Sequence, residues 1–530
     1  MKKAYHKSRV LYYLAIIPPF FVLCLHLDAA SLYVATNGNS TYPYDTWGKA
    51  VTNIQWAVSA AANGDTVWIS NGVYVLTNQI TVISNISMIG TGGTVVVDGN
   101  NLNRCIDFSS ATGTLANLFI TRGSTNDDGG GVRLGSGIMR DCVFSNNICT
   151  NRGGGIYVSG TTLVQRCTFI ENKAYKGGGL YAYCPTVSLI DHCLFYTNTA
   201  YYQAGGIYMY YPTSSIITGC DLICNVATNT GGGIISEVSE VSSATSLITH
   251  CTFVSNVALQ ADAGGLKLYY SYSLCSNCFF SNNVASNGGG GFLVSGGTVK
   301  KCVIARNISL NQTAGGGGGC QPKNFSLVDE CIIEENQAGY HGGGVYLYSG
   351  SVLRNCLVRN NIATTGADGR GGGVCIASSV DIPMMMNCTI VSNYAKLHGG
   401  GTDNSIGGTY TARMENCIIY YNACDTAGQS NYYLGTASSN ISYSNCCFAP
   451  TMGAAYTNYS ANNIIADPLF VDRVSGNYRL SANSPCMNMG INQSWMTNAV
   501  DLDGRTRIRY GTVDMGAYET IYNGTIYRIP

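Results

Sequence analysis

Cysteine recurs through the middle of the chain at Cys142, Cys167, Cys193, Cys220, Cys251, Cys278, Cys302, Cys331, Cys356, Cys388 and Cys417, in steps of 24 to 32 residues. Five positions after each stands an asparagine: Asn147, Asn172, Asn198, Asn225, Asn256, Asn283, Asn307, Asn336, Asn361, Asn393 and Asn422. Two positions after each cysteine comes Phe, Leu, Ile or Val, as at Phe144, Phe169, Leu222 and Ile304. A glycine cluster and an alternating apolar segment complete the unit, as in Gly153-Gly154-Gly155-Ile156-Tyr157-Val158. A repeat of this length, with short β-rich runs and no helical period, folds as one coil of a β-solenoid.

Strand alternation sends the cysteine and the large apolar residue two places on to the same face, which must be the core. Coils stack about 4.8 Å apart, so the cysteines form one internal column and the asparagines another at a bend. Asparagine tolerates a left-handed corner, and stacked amides can bond from coil to coil. Glycine serves the second bend, where positive φ or close backbone approach excludes a Cβ. The column cysteines are read as buried thiols, since parallel in-register columns suit disulfides poorly. Pairing of the off-column cysteines, Cys446-Cys447 included, is left open by the sequence. The six histidines form no ligand set with cysteine, so no metal and no cofactor is expected. With 29 basic against 29 acidic residues there is no basic excess to bind nucleic acid.

Lys2, Lys3, Lys7 and Arg9 precede an apolar run from Val10 to Leu27 that ends near Ala29-Ala30, so residues 1–30 read as an export signal. No later run reaches the roughly 20 apolar residues of a membrane span, so none is expected in the mature chain. Ile54, Ala57, Val58 and Ala61 fall at helical spacing, which predicts a short helix closing the N-terminal mouth of a solenoid covering residues 31–445. After Cys446 the repeat fades, and residues 446–530 read as a separate C-terminal cap.

The Phe-x-x-Asn units (Phe144 to Asn147, Phe169 to Asn172, Phe253 to Asn256) and the Gly-Gly-Gly-Ile/Leu/Val segments resemble the repeats of polymorphic outer-membrane proteins and of pectin-lyase-like right-handed parallel β-helices. Asp467-Pro-Leu-Phe-Val-Asp472, Asn477-Tyr-Arg-Leu480, Asp501-Leu-Asp-Gly-Arg505 and Val513-Asp-Met-Gly-Ala-Tyr-Glu519 are similar to the choice-of-anchor Q-type domain of exported bacterial β-helix proteins. The resemblance implies an all-β, right-handed parallel β-helix that is secreted or held at the cell surface, with outer-membrane association open. Autotransporter-type relatives end in a membrane barrel. No alternating strand series follows the cap here, so a secreted or otherwise tethered protein is expected.

The same fold hosts polysaccharide lyases and hydrolases, so catalysis must be argued from a site. An inverting hydrolase needs two matched carboxylates, and acids are sparse: Asp127-Asp128, Glu334-Glu335 and Asp368 stand out. A lyase needs a base, for which Arg354, Arg359 and Arg370 are candidates. Asp501-Leu502-Asp503-Gly504 reads as a turn rather than a calcium loop. No catalytic residue is assigned. The stronger surface signal is aromatic. Alternation after the glycines turns Tyr157, Tyr181, Tyr208 and Tyr346 outward, and a second outward position adds Tyr183, Tyr210, Tyr269 and Tyr348. Such a stripe suits sugar rings or a protein surface. The expected function is a non-catalytic, adhesin-like scaffold binding a polysaccharide or surface protein along its flank, the alternatives being a polysaccharide lyase or hydrolase and a purely structural envelope protein.

Overall fold

The computed structural model describes residues 29–185, 188–238, 245–269, 272–313, 315–364, 368–377, 381–406, 411–433, 440–449 and 462–521. The expected export signal falls almost wholly outside the described residues, as do residues 450–461 and 522–530 of the expected cap.

The chain is an all-β parallel solenoid. Each regular coil carries four short strands, lettered here as faces a to d. One coil runs through Leu180–Tyr183 (a), Ser188–Asp191 (b), Leu194–Tyr196 (c) and Thr199–Gln203 (d). Faces a, b and c join one 42-stranded sheet, and the d strands form a separate 12-stranded ladder. The coil-to-coil pairings in these two sheets are parallel and, apart from local shifts such as that between Ala174 and Lys176, in register, as with Phe144, Phe169, Phe195 and Leu222 on face c. The repeated Cys-x-Phe unit forces this, because a slip of one residue would turn the whole apolar set into solvent.

The cysteine column lies at the b–c corner and is buried throughout, extending to Cys446. All described cysteines are free thiols. Each sulfur sits against backbone; Cys193 Sγ donates to Asp191 O at 3.3 Å and accepts the Cys167 N–H at 3.4 Å. Phenylalanines stack beside it at 4.5 to 4.8 Å.

The asparagine column at the c–d corner is also buried, but the left-handed residue is its predecessor. Asn146, Glu171, Thr197 and Ser255 carry φ of 53° to 55°, which corrects the expectation that the repeated asparagine itself takes the strained turn. The buried amide instead ties coils together, as Asn172 Nδ2 shows by donating to Phe144 O and to Asn198 Oδ1, both at 2.9 Å. At the d–a corner glycine is required as expected. Gly153 has φ of 71°, and a Cβ on Gly154 would stand 2.4 Å from Gly178 O.

The helix Ile54–Ala60 buries Ile54, Ala57 and Val58 against the first coils, as their spacing predicts. At the other end the ladder continues through Cys447–Phe448 and Ile464–Ile465. The following segment turns back along the solenoid, where Leu480, Cys486 and Met515 pack on Ile418 and Cys447. The asparagines just before column cysteines receive it: Asn355, Asn387, Asn416 and Asn445 donate to the carbonyls of Val500, Asp514, Ile491 and Met489 at 2.9 to 3.3 Å. Arg507, fully buried, bonds to Gly516 O and pairs with Glu519, closing this segment on itself.

Candidate binding flank

Face a presents its outward side chains in two rows, and the structure separates them. In the first row Tyr157, Tyr181, Tyr208 and Tyr346 are at most 7% exposed, so the expected open stripe is not there. Alternation does point them away from the main core. They lie instead in small outer clusters, Tyr157, Tyr181 and Tyr208 together with Ala204 and Ile235, and Tyr346 with Cys375. The chain entering each glycine corner folds over face a and covers them. Arg152 lies 5.1 and 5.3 Å from the Tyr157 and Tyr181 rings, and Lys176 lies 5.3 Å from that of Tyr208. Burial pushes the phenols of Tyr157, Tyr181, Tyr208 and Tyr346 up, and Tyr208 donates its hydroxyl to Glu237.

The second row reaches solvent. Tyr183 is 39% exposed, and Tyr210, Tyr269 and Tyr348 are half-buried. Tyr183 and Tyr210 stack at 5.6 Å, and Tyr211 closes on Tyr210 at 4.1 Å. Cations accompany the row: Arg152 over Tyr183 at 5.4 Å, Lys267 over Tyr269 at 5.2 Å and Lys323 over Tyr348 at 5.9 Å. Glu237 interrupts it, pairing in register with Tyr210 on one side and Tyr269 on the other. The usable surface is therefore a short aromatic and cationic strip on a rigid sheet.

The acids singled out in the sequence are held by arginine. Asp128 is buried and grips Arg152 through both oxygens at 2.9 and 2.7 Å, while Asp127 meets Arg104 and Arg133 at 3.3 and 3.1 Å. Glu334 pairs with Arg359, Glu335 with Arg306, and Asp368 with Arg370, at 2.6 to 2.7 Å. Arg354 pairs with Asp329 at 2.8 Å. These carboxylates and the three arginines considered as bases thus serve structural pairs. Asp501 accepts the backbone N–H groups of Asp503, Arg505 and Glu519 at 2.7 to 2.9 Å, the turn expected of it.

Two features carry more than the sequence reading gave them, in which Lys267 only broke the tyrosine stripe together with Ile235, Leu293 and Cys375. Lys267, in the first row in register with Ile235, lies 3.5 Å from the Thr230 hydroxyl, and burial holds its ammonium below the usual lysine range. Its sequence signal was a lysine breaking the first row between Ile235 and Leu293 of the neighbouring coils. The second is a group of three buried thiols, Cys275, Cys278 and Cys302, against an expectation of no metal site. The spacing Cys275-Ser276-Asn277-Cys278 was the signal for it.

Known proteins support the architecture. Residues 263–410 match the family described as the right-handed β-helix region, so the fold is a right-handed parallel β-helix. Residues 141–159 match the repeat of the Chlamydia polymorphic membrane protein. None of the curated proteins matches the chain. Among solved structures, the pectate lyase Pel9A is 14% identical over 92% of this chain and 96% of its own, with a TM-score of 0.33. A rhamnogalacturonan lyase is 12% identical over 86% and 95%, with a TM-score of 0.22. Among the described residues no helix is long and apolar enough to cross a membrane.

Proposed function

We propose that this chain is an exported, non-catalytic β-helix scaffold of the cell surface or its surroundings that binds glycans through the second tyrosine row. The observation that carries the reading is the stacked pair of exposed Tyr183 and half-buried Tyr210, with Arg152 beside it. Flat apolar rings set on a stiff sheet offer sugar faces a surface at little entropic cost, and the nearby cations suit an acidic polymer. The polymorphic membrane protein repeat supports a surface location. Residues 446–530 are read as a choice-of-anchor Q-type cap, a reading supported by the way residues from Met489 onward dock on the solenoid corners.

A lyase is the second reading, favoured by Lys267 alone. A lysine with a depressed pKa beside Glu237 and Asp262 has the character of a general base. One experiment separates the two: incubation of the protein with acidic and neutral polysaccharides, scoring retention and new unsaturated chain ends together. Retention without cleavage, lost in Tyr183→Ala and Tyr210→Ala, supports the scaffold. Unsaturated ends that disappear in Lys267→Ala make the protein a lyase instead.

A further inference from the structure

Face b directs one residue of each coil into the core beside the cysteine column. Along this row stand Val164, Ile190, Ile217, Ile248, then Cys275, then Val299, Val328 and Leu353, each paired in register with the next. Cys275 is thus a sulfur set into an aliphatic row. It faces the column where Cys278 and Cys302 succeed one another, and the three Sγ atoms lie within 4.8 Å of one another. Cys275, Cys278 and Cys302 are at most 3% exposed.

We propose that Cys275, Cys278 and Cys302 form a trigonal site for a soft monovalent metal ion of the Cu(I) class. Geometry requires little movement. Metal–sulfur bonds of about 2.3 Å in a plane set three sulfurs about 4.0 Å apart, so the cluster closes by less than an ångström or so. Ligand chemistry selects the ion. Thiolates favour Cu(I), whereas structural zinc takes four ligands, and among the described residues no histidine, carboxylate or fourth cysteine joins this group. The Cys251 N–H points at Cys278 Sγ and the Cys278 N–H at Cys302 Sγ, each at 3.4 Å, while as thiols these two sulfurs donate to Ser276 O and Lys300 O at 3.2 and 3.3 Å, bonds that a metal would replace. Other coils have the column but lack the third sulfur. Because the site is sealed by stacked coils, the ion enters as the chain folds and then dissociates slowly.

The test is to refold the full chain without oxygen in Cu(I), and separately in Zn(II), and then to dialyse against an excess of a chelator for each ion. The expected result is one equivalent of copper retained, with X-ray absorption showing three sulfur neighbours, and no zinc retained. Retention falls to background in Cys275→Val, which keeps the site apolar and close to its size, and is unchanged in Cys193→Val, a column cysteine without a third partner. Far-ultraviolet circular dichroism confirms that each variant is folded, and the absorption spectrum of the unaltered protein reports ligand number independently of any variant. Failure to retain copper, equal retention in Cys275→Val, a four-coordinate zinc spectrum, or a disulfide among the three cysteines in protein isolated without oxygen would each overturn the assignment.

Discussion

Asn172 and Asn198 are joined side chain to side chain across adjacent coils, with Asn172 Nδ2 donating to Asn198 Oδ1 at 2.9 Å and the Asn172 backbone N–H donating to the same oxygen at 3.1 Å. Asn198 Nδ2 in turn donates to Phe169 O and to Asn225 Oδ1, each at 2.9 Å. One amide therefore links three successive coils, satisfying polar groups of the coil before and the coil after its own in a corner closed to water. Asn198→Ala strands several of them at once and is expected to cost about 3 kcal/mol or more. Urea titration gives the loss, and amide hydrogen exchange should place it at coils 167–230 first. An unchanged midpoint would remove the ladder from the forces that hold the stack.

The two tyrosine rows separate stability from surface. Tyr208 is fully buried, so Tyr208→Ala should destabilise by about 3 to 5 kcal/mol. Tyr183→Ala, at a solvent-facing ring, should change stability by less than about 0.5 kcal/mol. Denaturant midpoints of the two variants check this. Equal losses would contradict the burial of the first row.

Thiol accessibility gives a third expectation. Of the described cysteines, Cys184, Cys224 and Cys424 are partly exposed and the rest buried. Burial pushes the thiols of Cys105 and Cys149 up to about 12, far from the reactive thiolate. Brief alkylation of the native protein followed by peptide mass spectrometry should mark the three exposed sites and leave Cys105, Cys149 and the column unmodified until denaturant is added. Early labelling of Cys193 or Cys220 would show the stack to be open.

His341 makes stability depend on pH. It is 4% exposed, Nδ1 has no hydrogen-bond partner among the described residues, and burial lowers its pKa to about 4; Asp403, Arg370, Asp368 and Tyr340 face it. The folded value lies below the ordinary 6.5, so the neutral ring is the form that fits. Its contribution is fully present above about pH 6.5 and is lost as pH falls toward 4, by about 3 kcal/mol in all. His341→Gln should flatten that limb of the stability–pH curve, measured by thermal unfolding between pH 4 and 8. A limb as steep as before would assign the dependence to other groups.

The C-terminal segment hangs on side-chain amides. Asn416 donates to Ile491 O at 3.0 Å and accepts the Ile491 N–H at 2.8 Å from a backbone at φ of 56°. Asn416→Gly keeps that φ free of strain and deletes both bonds, a loss of about 2 kcal/mol that raises local opening roughly thirtyfold. Limited proteolysis within 486–519 should accelerate accordingly while the solenoid core stays resistant. Cleavage at the original rate would mean that the packing of Leu480 and Met515 alone holds the segment.

Most of what repeats was legible in the sequence, the residue that takes the left-handed turn before each column asparagine being the exception. The spacing of Cys193, Phe195 and Asn198 within one coil sets strand alternation, the core face and the corner, and stacking multiplies that local geometry. Ile54, Ala57 and Val58 likewise announce the closing helix within a single stretch of chain. What does not repeat was decided by tertiary structure. Alternation states that Tyr208 points away from the main core, but only the folded corners carrying Lys176 and Ala204 bury it. The meeting of Cys275 with Cys302 depends on the offset between coils, and that of Asn416 with Ile491 on a segment 75 residues onward. A period describes how one coil lies on the next; contacts that break the period arise from side chains far apart in sequence, and only three-dimensional packing brings them together.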